Sequence, residues 1–200
     1  MYPLDALSLK HPRHPSHPMK KERHGTSRIV SQEEYRELLR VLRPKFRTLL
    51  KLLCASGFRI SEALSIRKQD LIENTIILRK NDTKGKLETR EVPIPPSLAA
   101  ELQAIKTEGE YFFSARDPHK PMTRQNADYA LRSACEYLGI EGTSLHYTRR
   151  RFITELHNAN VPIKVIQKAV GHKSLTSTSK YIEVNETQVK TAVSLLWSSL

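Results

Sequence analysis

The 200-residue sequence predicts a mainly α-helical fold with one small antiparallel β-sheet, an α+β arrangement. Three observations lead there. Apolar residues recur at three- and four-residue spacing through most of the chain. Helix start and stop signals bracket those stretches. One central region, 75–94, instead shows a β-branched run and an alternating run on either side of a turn-rich loop.

Residues 1–28 read as a flexible basic arm and residues 29–200 as one folded domain. In the arm, His11-Pro12-Arg13-His14-Pro15-Ser16-His17-Pro18 repeats His-Pro every third residue. Proline blocks helix and sheet pairing, and a period of three suits polyproline II. The imidazoles would share one edge, but nothing fixes a metal geometry, so the repeat reads as a linker.

The folded part opens with a capping box, Ser31-Gln32-Glu33-Glu34, followed by Tyr35, Leu38, Leu39 and Leu42 on one helical stripe. Pro44 starts a second helix as its first residue and Gly57 ends it. Phe46, Leu49, Leu50, Leu52 and Leu53 supply its buried face, with Cys54 as a small core residue. Ser61 is expected to cap a short helix from Glu62 to Arg67. Thr75-Ile76-Ile77-Leu78 and Arg90-Glu91-Val92-Pro93-Ile94 read as two strands of a hairpin closed by Asn81–Lys86. Pro95 and Pro96 lead into a helix from Ser97 to about Lys106. Tyr111-Phe112-Phe113 is a short apolar piece. Thr123 caps a helix to Leu138, stopped by Gly139. Helices are expected at Leu145–Asn158, Pro162–Val170 and Ser174–Ile182. The last, Glu186 to Leu200, carries Val189, Val193, Leu196 and Leu200 on one stripe.

Charge narrows the partners. Lys+Arg outnumber Asp+Glu by 33 to 21, giving +12. Residues 146–181 carry seven Lys/Arg against Glu155 alone, so half the excess lies in one segment that also holds His146, His157 and His172. A solvated face normally interleaves both signs, so this asymmetry points to a polyanion, nucleic acid first. No apolar run reaches the roughly 20 residues of a membrane span. The N-terminus lacks the apolar core of a secretory signal. The two cysteines, Cys54 and Cys135, lack metal-ligand spacing and suit a reduced, cytoplasmic setting.

Four segments place a cation or nucleophile at a helix end or in a loop. They are Ser56–Glu62 around Arg59, the Thr83-Lys84-Gly85-Lys86 loop, Leu145–Arg149, and Gly171-His172 with Tyr181 nine residues on. Two guanidinium groups can clamp the non-bridging oxygens of a phosphodiester bidentately. Residues three apart share a helix face, so His146 and Arg149 can address one phosphate. A phenol needs a base and a positive field to act as a nucleophile.

In this order and spacing the chain resembles the catalytic domain of the tyrosine recombinases, the phage-integrase family. The family signature is Arg, hairpin Lys, His-x-x-Arg, Gly-His, then Tyr. The resemblance runs from about Ile29 to the C-terminus and implies a tyrosine-recombinase catalytic-domain fold. It implies Tyr181 as nucleophile, His146 as base, Arg59 and Arg149 as phosphate clamps, and His172 as a phosphate donor. Lys84 would protonate the leaving 5′-oxygen, with Lys86 a rival for that role or a DNA contact. Arg150, Arg151 and Lys173 are candidate contacts to flanking phosphates. A covalent 3′-phosphotyrosine keeps the phosphodiester bond energy, so neither metal, ATP nor cofactor is implied.

Family members often show Asp-Leu between the His and the Arg, and His after the Arg. Tyr147, Thr148 and Arg150 stand there instead. The separate helical clamp domain typical of the family has no counterpart ahead of Ile29. A naturally short enzyme and a truncated form both fit, and the basic arm could partly substitute by lying along the DNA backbone. The expected partner is double-stranded DNA, with a homotetramer on DNA assembled partly through the helix at 186–200. Packing of that helix on its own domain fits the stripe equally well. Two other readings keep the fold: a type IB topoisomerase-like enzyme, and a catalytically silent DNA-binding regulator.

Overall fold

The computed structural model describes residues 27–79, 89–182 and 186–197. The His-Pro repeat, the tip carrying Lys84 and Lys86, and Leu200 lie outside the described residues. Helices dominate, with one three-stranded antiparallel sheet.

Helix α1 (Gln32–Val41) starts at the expected capping box: Ser31 Oγ accepts from the Glu34 N–H at 3.1 Å, and the Glu34 carboxylate accepts from the Ser31 N–H at 2.8 Å. Arg28 already belongs to this unit. It forks onto both Glu34 oxygens at 2.8 Å, and its backbone N–H donates to Gly142 O. That pairing, first, and the backbone hydrogen bond hold the Glu34 carboxyl down at about 2. Helix α2 (Pro44–Ser56) has proline at its start and ends on Gly57 at φ +63°. A left-handed residue there lets the chain reverse without a Cβ clash.

The next helix begins earlier than expected. Helix α3 spans Ile60–Leu64, not Glu62–Arg67, and its N-cap is Arg59 rather than Ser61. The reason is Glu62, whose carboxylate turns back and accepts from the Arg59 backbone N–H at 2.8 Å. An acid at the third helical position satisfies an orphan donor that the Ser61 hydroxyl would otherwise have to serve. A 3₁₀ turn (Lys68–Asp70) leads to β1 (Leu71–Ile72), a two-residue strand too short to show a period.

β1 pairs with β2 (Thr75–Leu78), and β2 with β3 (Arg90–Pro93), both antiparallel. Leu78 faces Arg90 in that register, so the chain leaving β2 returns beside Arg90. Helix α4 (Pro96–Gln103) stops short of Lys106. Helix α5 (Arg124–Tyr137) is capped by Thr123 and followed by Gly139 at φ +67°. Helices α6 (His146–Asn158) and α7 (Ile163–Val170) fall where expected. Helix α8 (Leu175–Ser179) is shorter than the Ser174–Ile182 stretch, because Thr178 and Ser179 carbonyls close turns onto the Tyr181 and Ile182 N–H groups. Helix α9 (Glu186–Trp197) carries Val189 and Val193, both exposed.

Two apolar clusters meet across α2. One packs Leu49, Leu52 and Leu53 against Phe58, the sheet residues Ile76 and Leu78, and Phe112 and Phe113. The other packs Leu50 against Leu38, Leu131 and Tyr147. A third, smaller cluster of Ile153, Ile166 and Val170 joins α6 to α7, with Tyr181 against it. The site residues leave the chain where these clusters adjoin.

Candidate active site

Four chain segments deliver the site. Arg59 follows the Gly57 turn and a fully buried Phe58, which anchors the loop. Arg90 opens β3. His146 and Arg149 share the first turn of α6. Gly171 ends α7 at φ +65°, and His172 and Tyr181 flank α8.

The buried Arg149 joins them. Its Nη1 donates to Gly57 O at 2.6 Å and its Nη2 to Val170 O at 2.7 Å. Its Nε donates to Nε2 of His172 at 3.3 Å. One guanidinium therefore ties the end of α2, the start of α6 and the end of α7. Three of its five N–H donors meet described residues, so two remain to reach an anion. Burial, ahead of repulsion from Arg59, pushes its pKa down to about 10. It stays charged at neutral pH.

Tyr181 and His146 meet directly: the phenol oxygen lies 2.8 Å from the imidazole Nε2. The His172 ring stacks over Tyr181 with centroids 6.2 Å apart and planes at 25°. His146 is held below its ordinary pKa by burial first, then by Arg149, Arg124 and Arg150. His172 is pushed down to about 4 by burial, then by Arg149 and Arg59. Both imidazoles are neutral at pH 7, so Nε2 of His146 is able to accept the phenol proton.

Arg59 is held from behind. Its Nη1 pairs with Glu62 Oε1 at 2.8 Å, and Glu62 is wholly buried. The other carboxylate oxygen faces Arg90 Nη2 at 3.3 Å. Arg90 also donates to Ala169 O at 3.0 Å and sits 6.0 Å above the Phe58 ring. A Cβ on Gly171 would lie 2.5 Å from Arg90 Nη1 and sit on a left-handed φ of +65°, so a larger residue would strain the backbone and push the arginine aside. Beside them a groove of about 1330 Å³ runs from Arg59 and His172 past Arg90, Phe152 and Val165.

The structure thus brings together Arg59, His146, Arg149, His172 and Tyr181. Lys173 lines the groove. Arg150 and Arg151 point into packing. Arg150 donates to Ser27 O at 3.1 Å. Arg151 pairs with Glu155 at 2.7 Å, donates to Gln32 and lies 4.6 Å over the Tyr35 ring. The departures at 147 and 148 are packing as well: Tyr147 is a fully buried core residue, and the Thr148 hydroxyl donates to Leu145 O.

Sequence reasoning missed three residues. Glu62 was named only as the end of the Ser56–Glu62 segment and the start of a short helix; its carboxylate pairs with Arg59 and Arg90. Arg90 carried no signal beyond opening an alternating strand. Thr178, whose Oγ1 lies 2.9 Å from Nδ1 of His172, sat among the Ser/Thr of a short helix with nothing to mark it.

The phage integrase family model matches residues 28–188. A tyrosine recombinase XerA of Thermococcus kodakarensis is 30% identical over 174 residues, covering 82% of this chain and 61% of that one. A tyrosine recombinase XerD of Mycobacterium leprae is 32% identical over 151 residues, covering 68% of this chain and 46% of that one. The chain therefore spans about half to three fifths of the length of these curated relatives. The crystal structure of XerA recombinase superimposes with a TM-score of 0.70 at 18% identity, covering 86% of this chain and 65% of that one. The Tn1549 transposon integrase in complex with transposon right end DNA gives 0.72 at 15% identity, covering 88% and 68%. These two likenesses are of fold.

Proposed function

From the premise that the chain belongs to the phage integrase family, we propose that it is a site-specific DNA recombinase acting through Tyr181. The observation that carries this reading is the 2.8 Å contact between the Tyr181 hydroxyl and Nε2 of His146, inside a site walled by Arg59 and Arg149.

The chemistry follows from the groups. Tyr181 Oη attacks the scissile phosphorus and its proton passes to Nε2 of His146. Negative charge builds on the non-bridging oxygens. Arg59 and the remaining donors of Arg149 meet it, with His172 donating from the third side. The P–O5′ bond breaks, and Lys84 supplies the proton that the 5′-oxygen takes. A 3′-phosphotyrosine and a free 5′-hydroxyl result. The reverse reaction with a second 5′-hydroxyl completes strand exchange. Fixed cations supply the electrostatic stabilisation, and the ester bond is exchanged rather than hydrolysed, so the scheme requires no metal and no ATP. Lys86 and Lys173 are placed in this reading on flanking phosphates.

Double-stranded DNA is the partner. A homotetramer would bring together the four cleaving subunits that two duplexes need. The groove lined by the apolar Phe152, Leu156 and Val165 and by Lys164, Lys168 and Lys173 suits the apolar stripe and acidic start of α9 from another copy. A chain cut after Asn185 should then bind DNA but sediment as smaller complexes; unchanged assembly would refute that exchange.

A nicked suicide duplex tests the reaction. The chain should form a protein–DNA adduct stable to denaturant, and Tyr181→Phe should form none. Binding without any adduct would leave a DNA-binding regulator; an adduct without joining of two sites would leave a topoisomerase-like enzyme.

A further inference from the structure

Thr178 has no part in that reaction, yet its side chain is fully buried and its oxygen is spent on one contact, 2.9 Å from Nδ1 of His172. The other ring nitrogen, Nε2, faces Arg149 Nε at 3.3 Å. A guanidinium has donors and no acceptor. Nε2 must therefore accept, and the single proton of the neutral ring sits on Nδ1. Nδ1–H then donates to Thr178 Oγ1. The opposite tautomer would set two N–H groups against each other at Arg149. The two contacts together select one tautomer.

We propose that Thr178 is a positioning residue for phosphate recognition: by accepting from Nδ1–H it reserves Nε2 of His172 as the atom that gains a proton when an anionic phosphate enters. This rests on the recombinase reading for the identity of the anion. In the free protein Nε2 offers a lone pair, which cannot donate to a phosphate oxygen. The groups that bear on His172 are Arg149 and His146 on α6, Arg59 ahead of α3 and Arg90 on β3, with Tyr181 stacked on the ring. The three arginines and His146 all oppose a further positive charge. A phosphate beside Arg149 reverses that balance, and the ring takes a proton from solvent. Because Nδ1 is already protonated and satisfied, the new proton goes to Nε2, which then donates to the phosphate. The proton returns to solvent when the phosphate leaves. Without the Thr178 oxygen, the doubly protonated ring would carry a buried Nδ1–H with no acceptor, and that form is disfavoured.

Nitrogen-15 histidine NMR on the Tyr181→Phe chain tests this without any cleavage. At neutral pH His172 should show the Nδ1–H tautomer. Thr178→Val, which keeps the shape and removes the oxygen, should move it toward Nε2–H; Thr178→Ser should not. Adding a duplex at low salt and a pH of about 6, near the ordinary histidine pKa, should protonate His172 in the parent and in Thr178→Ser but not in Thr178→Val. In the chain with Tyr181 intact, Thr178→Val should cleave a suicide duplex at least tenfold more slowly, with DNA affinity within twofold and a deficit that grows with pH. Thr178→Ser should restore the rate. An Nε2–H tautomer in the parent, no change in Thr178→Val, or equal and pH-independent losses in both variants would overturn the proposal. Failure of the recombinase reading shows separately, as absence of the Tyr181 adduct while the tautomer shift stands.

Discussion

Glu62→Gln isolates the carboxylate that holds two arginines. Glu62 is wholly buried, with Oε1 on Arg59 Nη1 at 2.8 Å, and Oε2 on the Arg59 N–H at 2.8 Å and on Arg90 Nη2 at 3.3 Å. Glutamine keeps the volume and one acceptor oxygen. If that oxygen stays on the backbone N–H, the amide NH₂ faces the Arg59 guanidinium, donor against donor. Breaking one side of a buried ion pair costs about 3–5 kcal/mol. The side chains of Arg59 and Arg90 retain 30% and 15% exposure, so solvent recovers part of that. A loss of about 3 kcal/mol is expected, on the low side of the range. For a domain of this size that is a fall of roughly 6–12 °C in Tm.

The same change should slow cleavage, because Arg59 loses its backing while remaining charged. Displacing one donor of a preorganised oxyanion-type site lowers rate by about 10²–10³-fold. Thermal unfolding followed by circular dichroism gives the first number, and single-turnover cleavage of a suicide duplex gives the second. A Tm within about 1 °C of the parent, far inside the expected shift, would refute the premise that this carboxylate organises the site. A lowered Tm with an unchanged rate would refute only the part that runs through Arg59.

Three further outcomes follow from the same site. Gly171→Ala puts a left-handed φ of +65° on an L side chain, and its Cβ within 2.5 Å of an Arg90 nitrogen that is pinned to Ala169 O and Glu62. Left-handed backbone alone costs about 1–2 kcal/mol, so chemical denaturation should show more than that; in an Arg90→Met background, which removes the clashing nitrogen, adding Gly171→Ala should cost only the backbone share. The depressed histidines set a pH dependence. Between the ordinary histidine pKa and the folded value of about 4, His172 binds a proton in the unfolded chain but not in the folded one. Stability from this group is therefore held above about pH 6.5 and lost as pH falls toward the folded value, and His172→Gln should flatten that part of the stability–pH curve. Cleavage should also fall on acidification as His146 protonates, with an inflection below the ordinary histidine value; an inflection above it would contradict the burial that lowers the His146 pKa.

Most of the helical architecture was legible, because each helix boundary rests on local chemistry. Pro44 and Gly57, the Ser31–Glu34 box and the Thr123 cap act within a turn, and the chain obeys them. The miss at α3 has a local cause too. Ser61 looked like the cap because serine is a good one, but Glu62 already served the preceding N–H, and Arg-x-x-Glu is not a pattern that propensity rewards. The five candidate groups that the fold gathers could be picked out by order and type. Their supports could not. Arg90 and Glu62 lie 28 residues apart, and Arg90 meets the Ala169 carbonyl 79 residues away. No period or cap encodes such contacts; they exist only once the sheet has packed against α7. The same holds in reverse for Arg150 and Arg151, whose charges suggested phosphate contacts but which hold Ser27, Gln32 and Glu155.

That last point changes how the basic segment is to be weighed. Of the seven Lys/Arg in residues 146–181, Arg149 and Arg151 are largely committed to holding the fold. Arg149 and Arg90 cover carbonyls of Ala169 and Val170, the last residues of α7, where a helix offers acceptors without partners. Of the two arginines assigned to the phosphate, Arg149 ties α2, α6 and α7 together and Arg59 is backed by Glu62, so both are held in place within the fold itself. Assembling them has an electrostatic cost, visible in the lowered pKa values of Arg149, Arg90 and His172, each led by burial. An entering phosphate relieves the repulsion without requiring the arginines to move. Arg90→Met takes one cation out of this cluster but leaves the buried Glu62 Oε2 and the Ala169 carbonyl without that donor, so chemical denaturation should show a net loss of stability and a suicide duplex should be cleaved more slowly; a variant as stable as the parent would refute the account.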